Sequence, residues 1–566
     1  MLIWRVVQVG PLRRVPERCD AYYGEARKLL EEARRAFPDN RVIRMYLGEP
    51  IPWPSPFEPD PAAPEWANLQ REGLEKLADV IHWWAEERQL EDGQFGGGWG
   101  DDVEMWRWWT PILIGFQDPV AEAAQEKISN GIFAQPHLKD GFTSRVTDVE
   151  HSNEDTTDTI LPMMHLEPDD PLWRARATRL ADLMRDRWTG RNKRGFLHFR
   201  SIYFSVDTVD ESPSHAFDTA YHASIVQPAL LCWQRTADPG LGSLFADWLK
   251  GWVDATARED NGKPSGVLPS TIRWPDGGIG FAGKPWWEPF PLSHNDALYN
   301  WPGASGLMTS ALLLAFHMTG DASYLQPIRS MAAIRARHRH DPGEPKGSAP
   351  WCARQMRGFL SDTLAKYRVL TGDDQFDELL AADASGYMKF RLGGDAKPLI
   401  SDLRRNAEAF RSNREAFTSE MRWTDRVMGF SSYYLEWLGK SAPPSPFPYA
   451  LYASATGDPG TPLLFPMNAV RWLTPPREIA ALVTASGPAH FAAELFHFGK
   501  APREMAAEIY ILRGGAYEMT LAPAGGGEPW LRKAVRVSGP RTRVSLQLPP
   551  GKLASLSLRP AADPPR

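Results

Sequence analysis

The chain contains 566 residues, 43% of them hydrophobic, and carries a formal net charge of -6 at pH 7. This length and apolar fraction are typical of a folded protein with more than one domain, and they exclude a disordered or fibrous chain. Because the chain has no excess of positive charge to attract phosphate groups, we expect neither nucleic acid nor an anionic membrane as a partner.

The tryptophan and cysteine contents further restrict the kinds of protein and of binding site to be expected. The 23 tryptophans indicate a large aromatic core, ligand-stacking surfaces or both. Cys19, Cys232 and Cys352 are far apart and lack CxxC spacing, so neither a zinc cluster nor a disulfide framework is supported. The first residues show no charged leader before an apolar run. The sequence as written therefore predicts a cytoplasmic protein, or a secreted or periplasmic one if the true start lies upstream.

The N-terminal part is interpreted as an extension followed by a linker. Apolar spacing predicts a helix over residues 17–37, whereas residues 41–47 are strand-like. The proline-rich stretch 49–64 predicts a linker, so residues 1–64 are set apart from the helical part of the chain. Helical patterns then succeed one another, beginning with residues 69–89.

A recurring turn sequence organises the helical part. Thr319-Gly-Asp and Thr371-Gly-Asp-Asp each follow one apolar helical run and precede another. Glycine ends helices well and aspartate or proline starts them, so each copy predicts the turn of a helical hairpin. The spacing of these and similar turns predicts an (α/α)6-type toroid over residues 65–422, with an irregular bundle or an open solenoid as the alternatives.

The C-terminal part changes to strand patterns after connecting loops at 423–466. Residues 467–566 contain short alternating or β-rich runs separated by Gly, Pro and Ser turns. They predict an antiparallel β-sandwich, which makes the fold mainly α with a C-terminal β domain. The predicted strands are Ile479–Thr484, His490–Phe498, Met505–Leu512, Tyr517–Leu521, Ala534–Val537, Thr542–Leu548 and Leu553–Leu558.

A glycine run at 96–98 begins the most distinctive candidate site. Glycines permit close approach of a ligand, indoles stack on sugar rings, and carboxylates accept hydroxyl hydrogen bonds or move protons. We therefore predict Asp102 and Glu104 as catalytic residues and Trp99 and Trp106 as substrate-binding residues. The alternative is a turn into a helix whose tryptophans fill the core.

Two further segments combine carboxylates with histidine. Residues 151–158 are interpreted as a loop in which Asn153 binds substrate and Asp155 is catalytic, with a helix N-cap as the alternative. Asp218 and His222 are four residues apart, which predicts that they share a helix face and are catalytic. The alternative for that pair is a hydrogen-bonded core histidine.

Residues 286–302 form a second aromatic and polar concentration before a predicted helix. His294 and Asp296 are predicted to transfer protons or to neutralise a uronate carboxylate. The predicted substrate-binding residues of this segment are Trp286, Trp287, Tyr299 and Trp301. The alternating charges of 419–426 are a weaker candidate, because such patterns are usually surface ion pairs.

The chain resembles the carbohydrate-active enzymes built on an (α/α) toroid, glycoside hydrolases and polysaccharide lyases among them. The resemblance covers residues 66–566 and rests on the architecture, the tryptophan-rich loops and the Gly-Gly-Gly-Trp-Gly-Asp-Asp segment. The Asn-Trp-Trp signature of the toroid chondroitin and hyaluronan lyases is absent. A carbohydrate substrate is implied. Nucleotide-binding, HExxH and GxSxG motifs are absent, so we expect no organic cofactor and assign no metal site.

Two mechanisms compete under this resemblance. A hydrolase needs two carboxyls astride the glycosidic bond, and Asp102 or Glu104 could face Asp155 or Asp218. A carboxylate neighbour, Asp101, would help Asp102 to keep a proton and act as a general acid. Carboxylates outnumber the other candidates, which favours hydrolysis.

The alternatives are a lyase and a glycan-binding protein without catalysis. A lyase would β-eliminate a uronate by using a tyrosine or histidine base and a neutralising amide or imidazole. The residues that could fill these roles are Asn153, His222, His294 and Tyr299. Because alternate loops of a toroid meet at one rim, we expect all the candidate segments to converge in one cleft.

Overall fold

The computed structural model describes residues 16–54, 56–281, 283–288, 296–419, 424–428, 433–440, 445–461 and 464–561. Helices dominate up to residue 456 and strands dominate from residue 470. The α-helices are α1 (Pro16–Ala36), α2 (Arg41–Tyr46), α3 (Glu65–Trp83), α4 (Trp99–Val103), α5 (Trp106–Leu113), α6 (Pro119–Phe133), α7 (Val149–Leu166), α8 (Pro171–Leu183), α9 (His222–Ile225), α10 (Gln227–Thr236), α11 (Pro239–Ala257), α12 (Asp296–Tyr299), α13 (Ser305–Thr319), α14 (Gln326–Arg337), α15 (Ala349–Gln355), α16 (Arg357–Thr371), α17 (Asp377–Asp383), α18 (Gly386–Gly393), α19 (Lys397–Arg411), α20 (Arg414–Phe417), α21 (Tyr433–Trp437) and α22 (Pro448–Thr456).

The strands are short before residue 280 and longer near the C-terminus. They are β1 (Leu138–Lys139), β2 (Phe142–Thr143), β3 (Thr147–Asp148), β4 (Thr189–Arg191), β5 (Leu197–Phe199), β6 (Tyr203–Phe204), β7 (Phe217–Thr219), β8 (Thr271–Arg273), β9 (Val470–Leu473), β10 (Ile479–Ser486), β11 (Phe491–His497), β12 (Arg503–Ile509), β13 (Gly515–Pro523), β14 (Leu531–Val537), β15 (Thr542–Leu548) and β16 (Leu553–Pro560).

The predicted helix-ending turns are confirmed at both Thr-Gly-Asp copies. Gly320 and Gly372 follow α13 and α16 with φ values of 72° and 75°, the left-handed conformation that glycine adopts without strain. Asp321 then accepts a hydrogen bond from the Ser323 main chain and begins the next helical turn. Whether the hairpins close into a toroid stays a prediction.

The strand predicted at 41–47 is wrong, because this segment forms helix α2. Asn40 precedes the helix in extended conformation, and its side chain accepts a hydrogen bond from the Ile43 main chain. Met45 and Tyr46 are buried and hold the short helix in place. The cap and tertiary burial therefore override the strand-like composition.

The chain divides into two compact units. Unit 1 comprises residues 1–124, 396–456 and 470–566, and unit 2 comprises residues 125–395 and 457–469. The predicted segment boundaries near 64, 422 and 466 are a different kind of division, drawn from sequence alone.

Unit 1 contains all the long strands. They form a five-stranded sheet in the order β10-β11-β16-β13-β14 and a three-stranded sheet in the order β15-β12-β9. Every pairing in both sheets is antiparallel. All seven predicted strands are present, and residues 542–548 show the alternating burial that predicted them. The four-residue strand β9 was missed because its residues are nearly all buried and do not alternate.

The helical part of unit 1 packs around α3. Leu74, Leu77 and Ile81 are fully buried on this helix, which packs against α19 and β10. In unit 2, α8 packs on α10 and α13 packs on α16. Within the described part of the chain, no helix combines the length and the apolar character needed to cross a bilayer.

Candidate functional site

Asp102 is a buried structural acceptor in unit 1. Its Oδ2 accepts main-chain hydrogen bonds from Phe95 at 2.6 Å and Gly96 at 3.0 Å, and its Oδ1 accepts one from Gly97 at 3.0 Å. The Thr424 hydroxyl donates to Oδ1 at 2.7 Å. Burial raises the pKa of Asp102, and these hydrogen bonds act in the opposite direction. Its carboxylate therefore fixes the glycine run to the turn at 424–426.

The glycines are required by this arrangement. Gly96 and Gly98 have φ values of 99° and 93°, which residues with a Cβ rarely adopt. A Cβ at Gly97 would lie 2.5 Å from the Thr424 hydroxyl and 2.7 Å from Asp102 Oδ1. The three glycines are exposed, so the backbone of this run faces solvent.

Glu104 forms an ion pair with Arg107, and Asp425 forms one with Arg426, whose Nε lies 2.8 Å from Asp425 Oδ2. Glu104 Oε1 lies 2.7 Å from Arg107 Nη1, and the Glu104 side chain is 12% exposed. Burial raises the pKa of Asp425, whereas the guanidinium groups of Arg426 and Arg107 lower it. Oδ1 of Asp425 is buried without a hydrogen-bond partner among the described residues. The segment that contains Asp425 was predicted as a weak candidate, and Thr424 explains its placement because that residue bonds to Asp102.

The two predicted tryptophans of this region differ in accessibility. Trp99 begins α4 and is partly exposed beside the glycine run. Trp106 is 1% exposed and belongs to the core of α5. Only the Trp99 ring has a surface that a sugar could reach directly.

In unit 2, residues 151–158 lie inside helix α7 and not in a loop. The N-cap is Asp148, whose side chain accepts the His151 main-chain hydrogen bond at 3.0 Å. Asn153 is fully buried and donates to the Ser224 hydroxyl at 2.5 Å. Asp155 Oδ2 lies 2.7 Å from His137 Nε2 and is partly buried. Burial raises the pKa of Asp155, and His137 acts in the opposite direction.

The start of α7 carries a polar cluster that sequence reasoning missed. Asp148 Oδ1 lies 2.7 Å from His151 Nδ1, and this hydrogen bond raises the pKa of His151 to about 9. Glu150 Oε2 lies 3.7 Å from the same nitrogen. The three side chains each place a ligand atom within 4.8 Å of the others and could hold a metal ion, but exposed acidic groups also occur without one. The cap at Asp148, followed three residues later by histidine, was the available signal.

Tyr203 and Tyr299 lie close to this cluster. Tyr203 pairs with Asp148 across strands β3 and β6 and stacks on His215 at 4.1 Å. Tyr299 is fully buried. Burial, followed by the charge of Asp148, raises the pKa of Tyr299 well above its usual value.

Asp218 and His222 are in contact, but not on one helix as predicted. Asp218 lies on β7, and His222 begins α9. Their Oδ1 and Nδ1 atoms are 2.9 Å apart, and both side chains are 0% exposed. The other oxygen of Asp218 accepts from His198 at 2.8 Å and from the indoles of Trp248 and Trp252 at 2.9 and 3.2 Å. The pair is therefore the centre of a buried polar network.

The predicted stacking wall forms a mostly buried aromatic cluster. Trp286 and Trp301 are 1% and 4% exposed, and their indoles donate to the carbonyls of Gly347 and Leu268. Trp287 is partly exposed, and its ring centroid lies 6.0 Å from that of Trp286. His294 and the side chain of Asp296 lie outside the described residues.

The candidate residues thus assemble into separate groups within each unit. Unit 1 contains Asp102, Glu104 and Trp99, whereas unit 2 contains Asp155 and the Asp218–His222 pair. The convergence of all segments in one cleft spans both units and stays a prediction. No protein-family model matches the chain, and no curated protein matches it.

Proposed function

We propose that this chain hydrolyses glycosidic bonds, with Asp425 as proton donor and Glu104 as the ionised carboxylate. The observation that carries the proposal is that Glu104 forms an ion pair with Arg107, while Asp425 follows Thr424, whose hydroxyl bonds to the Asp102 carboxylate behind an exposed glycine run. A glycosidase needs two carboxyls held in opposite protonation states, and an arrangement of this kind provides them.

The two environments separate the roles. Burial raises the pKa of Asp425, which favours its protonated form. Arg426 Nε lies 2.8 Å from Oδ2, whereas the buried Oδ1 has no hydrogen-bond partner within the described residues, so Oδ1 is the oxygen that would carry the proton. Arg107 lies 2.7 Å from Glu104 and favours its ionised form, as a base for water or a nucleophile.

Asp102 is better supported as a positioning residue than as the acid. Both of its oxygens accept two hydrogen bonds, which hold the glycine run and Thr424 in place. Trp99, partly exposed beside that run, supplies a ring on which a pyranose could stack. Pairing of Asp102 or Glu104 with Asp155 or Asp218 stays an open alternative.

The lyase alternative has weaker support. A lyase base must reach the proton at C5 of a uronate. Of the residues predicted for the base and neutraliser roles, Asn153, His222 and Tyr299 are fully buried. Burial also raises the pKa of Tyr299, which opposes formation of a tyrosinate. The side chains of Glu104 and Asp425 in unit 1 are 12% and 11% exposed, which favours them over these fully buried groups for acid and base chemistry.

The test combines substrate screening with two variants. Wild-type protein is incubated with plant, algal and bacterial polysaccharides, and reducing ends and ultraviolet absorbance are followed. We expect reducing ends without an absorbing product, and about 10²–10⁴-fold slower turnover for Glu104→Gln and Asp425→Asn. Glu528→Gln, an exposed carboxyl elsewhere in unit 1, is the matched control and should retain full activity.

The leaving group separates the two roles. Nitrophenolate leaves without protonation, so Asp425→Asn should retain most activity on a nitrophenyl glycoside of the released sugar, while Glu104→Gln should not. An unsaturated product that absorbs ultraviolet light would show that the reaction is β-elimination by a lyase and not hydrolysis. If both Glu104→Gln and Asp425→Asn keep full activity on polysaccharide, these two carboxyls are not the catalytic acid and base.

A further inference from the structure

A concave site lies in unit 1, on the surface of a small core formed near the N-terminus. Helices α1, α2 and α21 meet there through buried residues that include Tyr23, Leu30, Tyr46 and Leu435. The cavity on this core has a volume of about 530 Å³, which is within the range of small-molecule sites.

The lining of this cavity is strongly basic, although the whole chain is acidic. Its charged side chains are four cations and one carboxylate, and three apolar side chains complete the lining. The lining residues are Arg27, Glu31, Arg34, Arg35, Pro38, Leu47, Leu438 and Lys440. Residues 27, 31, 34 and 35 recur at helical spacing, so α1 presents them on one face.

Two of these cations have no carboxylate partner within the described part of the chain. Arg27 pairs with Glu31 at 2.8 Å, and Arg34 pairs with Glu49 at 2.6 Å. By contrast, Arg35 donates only a long hydrogen bond of 3.4 Å to the Glu31 carbonyl. Lys440 is exposed, and its stem packs over Gly48, where a Cβ would lie 2.7 Å from Lys440 Cγ. The cavity thus retains uncompensated positive charge.

We propose that this cavity binds the acidic group of an oligosaccharide, either a uronate carboxylate or a sulfate ester. Guanidinium groups donate paired hydrogen bonds to two oxygens of such anions, and the apolar lining residues Pro38, Leu47 and Leu438 offer contacts for the C–H face of a sugar ring. That the ligand is a carbohydrate rests on the proposed function, whereas its negative charge follows from the cavity. The protein would then act on an acidic polysaccharide and hold it at a point separate from the carboxyl pair.

Calorimetric titration of the full chain tests the site. The probes are oligogalacturonate, a sulfated dextran fragment and neutral dextran of similar length. We expect one or both acidic probes to bind and neutral dextran not to bind. The double variant Arg35→Ala/Lys440→Ala should weaken acidic binding about tenfold. Lys533→Ala/Arg536→Ala removes the same charge from exposed positions of β14 and should leave binding unchanged.

The remaining outcomes are equally decisive. Equal weakening by both double variants would show a general effect of surface charge and would overturn the site. Inorganic phosphate or sulfate that competes as well as the oligosaccharides, mole for mole, would overturn the carbohydrate assignment. Binding measured in Glu104→Gln separates the two proposals, because it should persist without turnover. Turnover of neutral glycans with no acidic binding would overturn this inference alone.

Discussion

At the scale of single residues, one buried carboxylate organises the loop that adjoins the candidate acid and base. Asp102 is 1% exposed and accepts three main-chain hydrogen bonds as well as one from Thr424. An asparagine at this position offers one acceptor oxygen and turns an NH₂ group toward donors. The geometry of the whole turn therefore depends on the charge state and shape of this side chain.

We predict that Asp102→Asn lowers the stability of unit 1 by about 1–3 kcal/mol, because the buried donors of Phe95 and Thr424 lose a charged acceptor. Thermal melting followed by circular dichroism measures this change, with Asp101→Asn as the neighbouring control. Turnover should fall as the loop loosens, while the pH dependence of the remaining activity keeps its alkaline limb, because the proposed proton donor, Asp425, is unchanged. An Asp102→Asn protein with an unchanged melting temperature and no turnover would instead identify Asp102 as the proton donor.

A second residue-scale prediction concerns His151. The hydrogen bond to Asp148 raises the pKa of His151 to about 9, so the imidazolium stabilises the folded state below about pH 6.5, and this contribution is lost as the pH rises through 9. Since the side chain is 40% exposed, we discount the contribution to about 1 kcal/mol.

The His151 imidazole resonance should therefore titrate near pH 9 by nuclear magnetic resonance. Asp148→Asn retains an N-cap residue for α7 and should move the midpoint down toward 6.5. A midpoint that stays near 9 in this variant would show that Asp148 is not the cause.

At the scale of elements, two ion pairs join the same pair of helices, α3 and α19, at different depths. Glu72 is 1% exposed and bonds to Arg411 at 2.6 Å and to Lys76 at 2.5 Å. Glu65 pairs with Arg404 at the surface, where both side chains are about half exposed. The two cases therefore differ in the burial of the carboxylate and in its number of cationic partners, two for Glu72 and one for Glu65.

We predict that Glu72→Ala destabilises unit 1 by about 3–5 kcal/mol, because it leaves the buried Lys76 without its carboxylate. Glu65→Ala should cost at most about 1 kcal/mol, since an exposed pair is screened by solvent. Urea denaturation of both variants gives the comparison. If the two variants lose similar amounts of unfolding free energy, burial of the Glu72 ion pair does not determine how much it stabilises unit 1.

At the scale of the whole molecule, each unit has a core of its own. The core of unit 2 includes the network around Asp218, whose carboxylate accepts hydrogen bonds from His198 and two indoles and lies 2.9 Å from His222 Nδ1. The cavity lined by Arg35 and Lys440 belongs to unit 1 and is basic despite the net charge of -6. The net charge of the chain therefore argued against an extended basic surface, but it gave no information about a small basic patch such as this cavity.

We predict that Asp218→Asn weakens unit 2 selectively, because the buried donors around it lose a charged acceptor. Hydrogen exchange followed by mass spectrometry should show faster exchange in α9, α10 and α11. Strands β10 to β16 of unit 1 should keep their protection, as separate cooperative units do. Equal loss of protection in both sets would show that the two units open together.

The sequence by itself determined the secondary structure wherever one local signal was sufficient. Alternating or β-rich runs predicted the strands at 479–558, and residues 542–548 do alternate between buried and exposed positions. Gly320 and Gly372 predicted helix ends, because glycine adopts the positive φ that they have in the structure. It failed at 41–47 and 151–158, where caps at Asn40 and Asp148 set the helices.

Only the tertiary structure decided which polar residues meet and which are buried. The sequence singled out Asp102 and Glu104, but Thr424 places Asp425 near them from more than three hundred residues away. It paired Asp218 with His222 by helix spacing, whereas the contact is made between a strand and the next helix. Local periodicity reflects the backbone conformation of neighbouring residues. Burial and pKa depend on groups that only folding brings together.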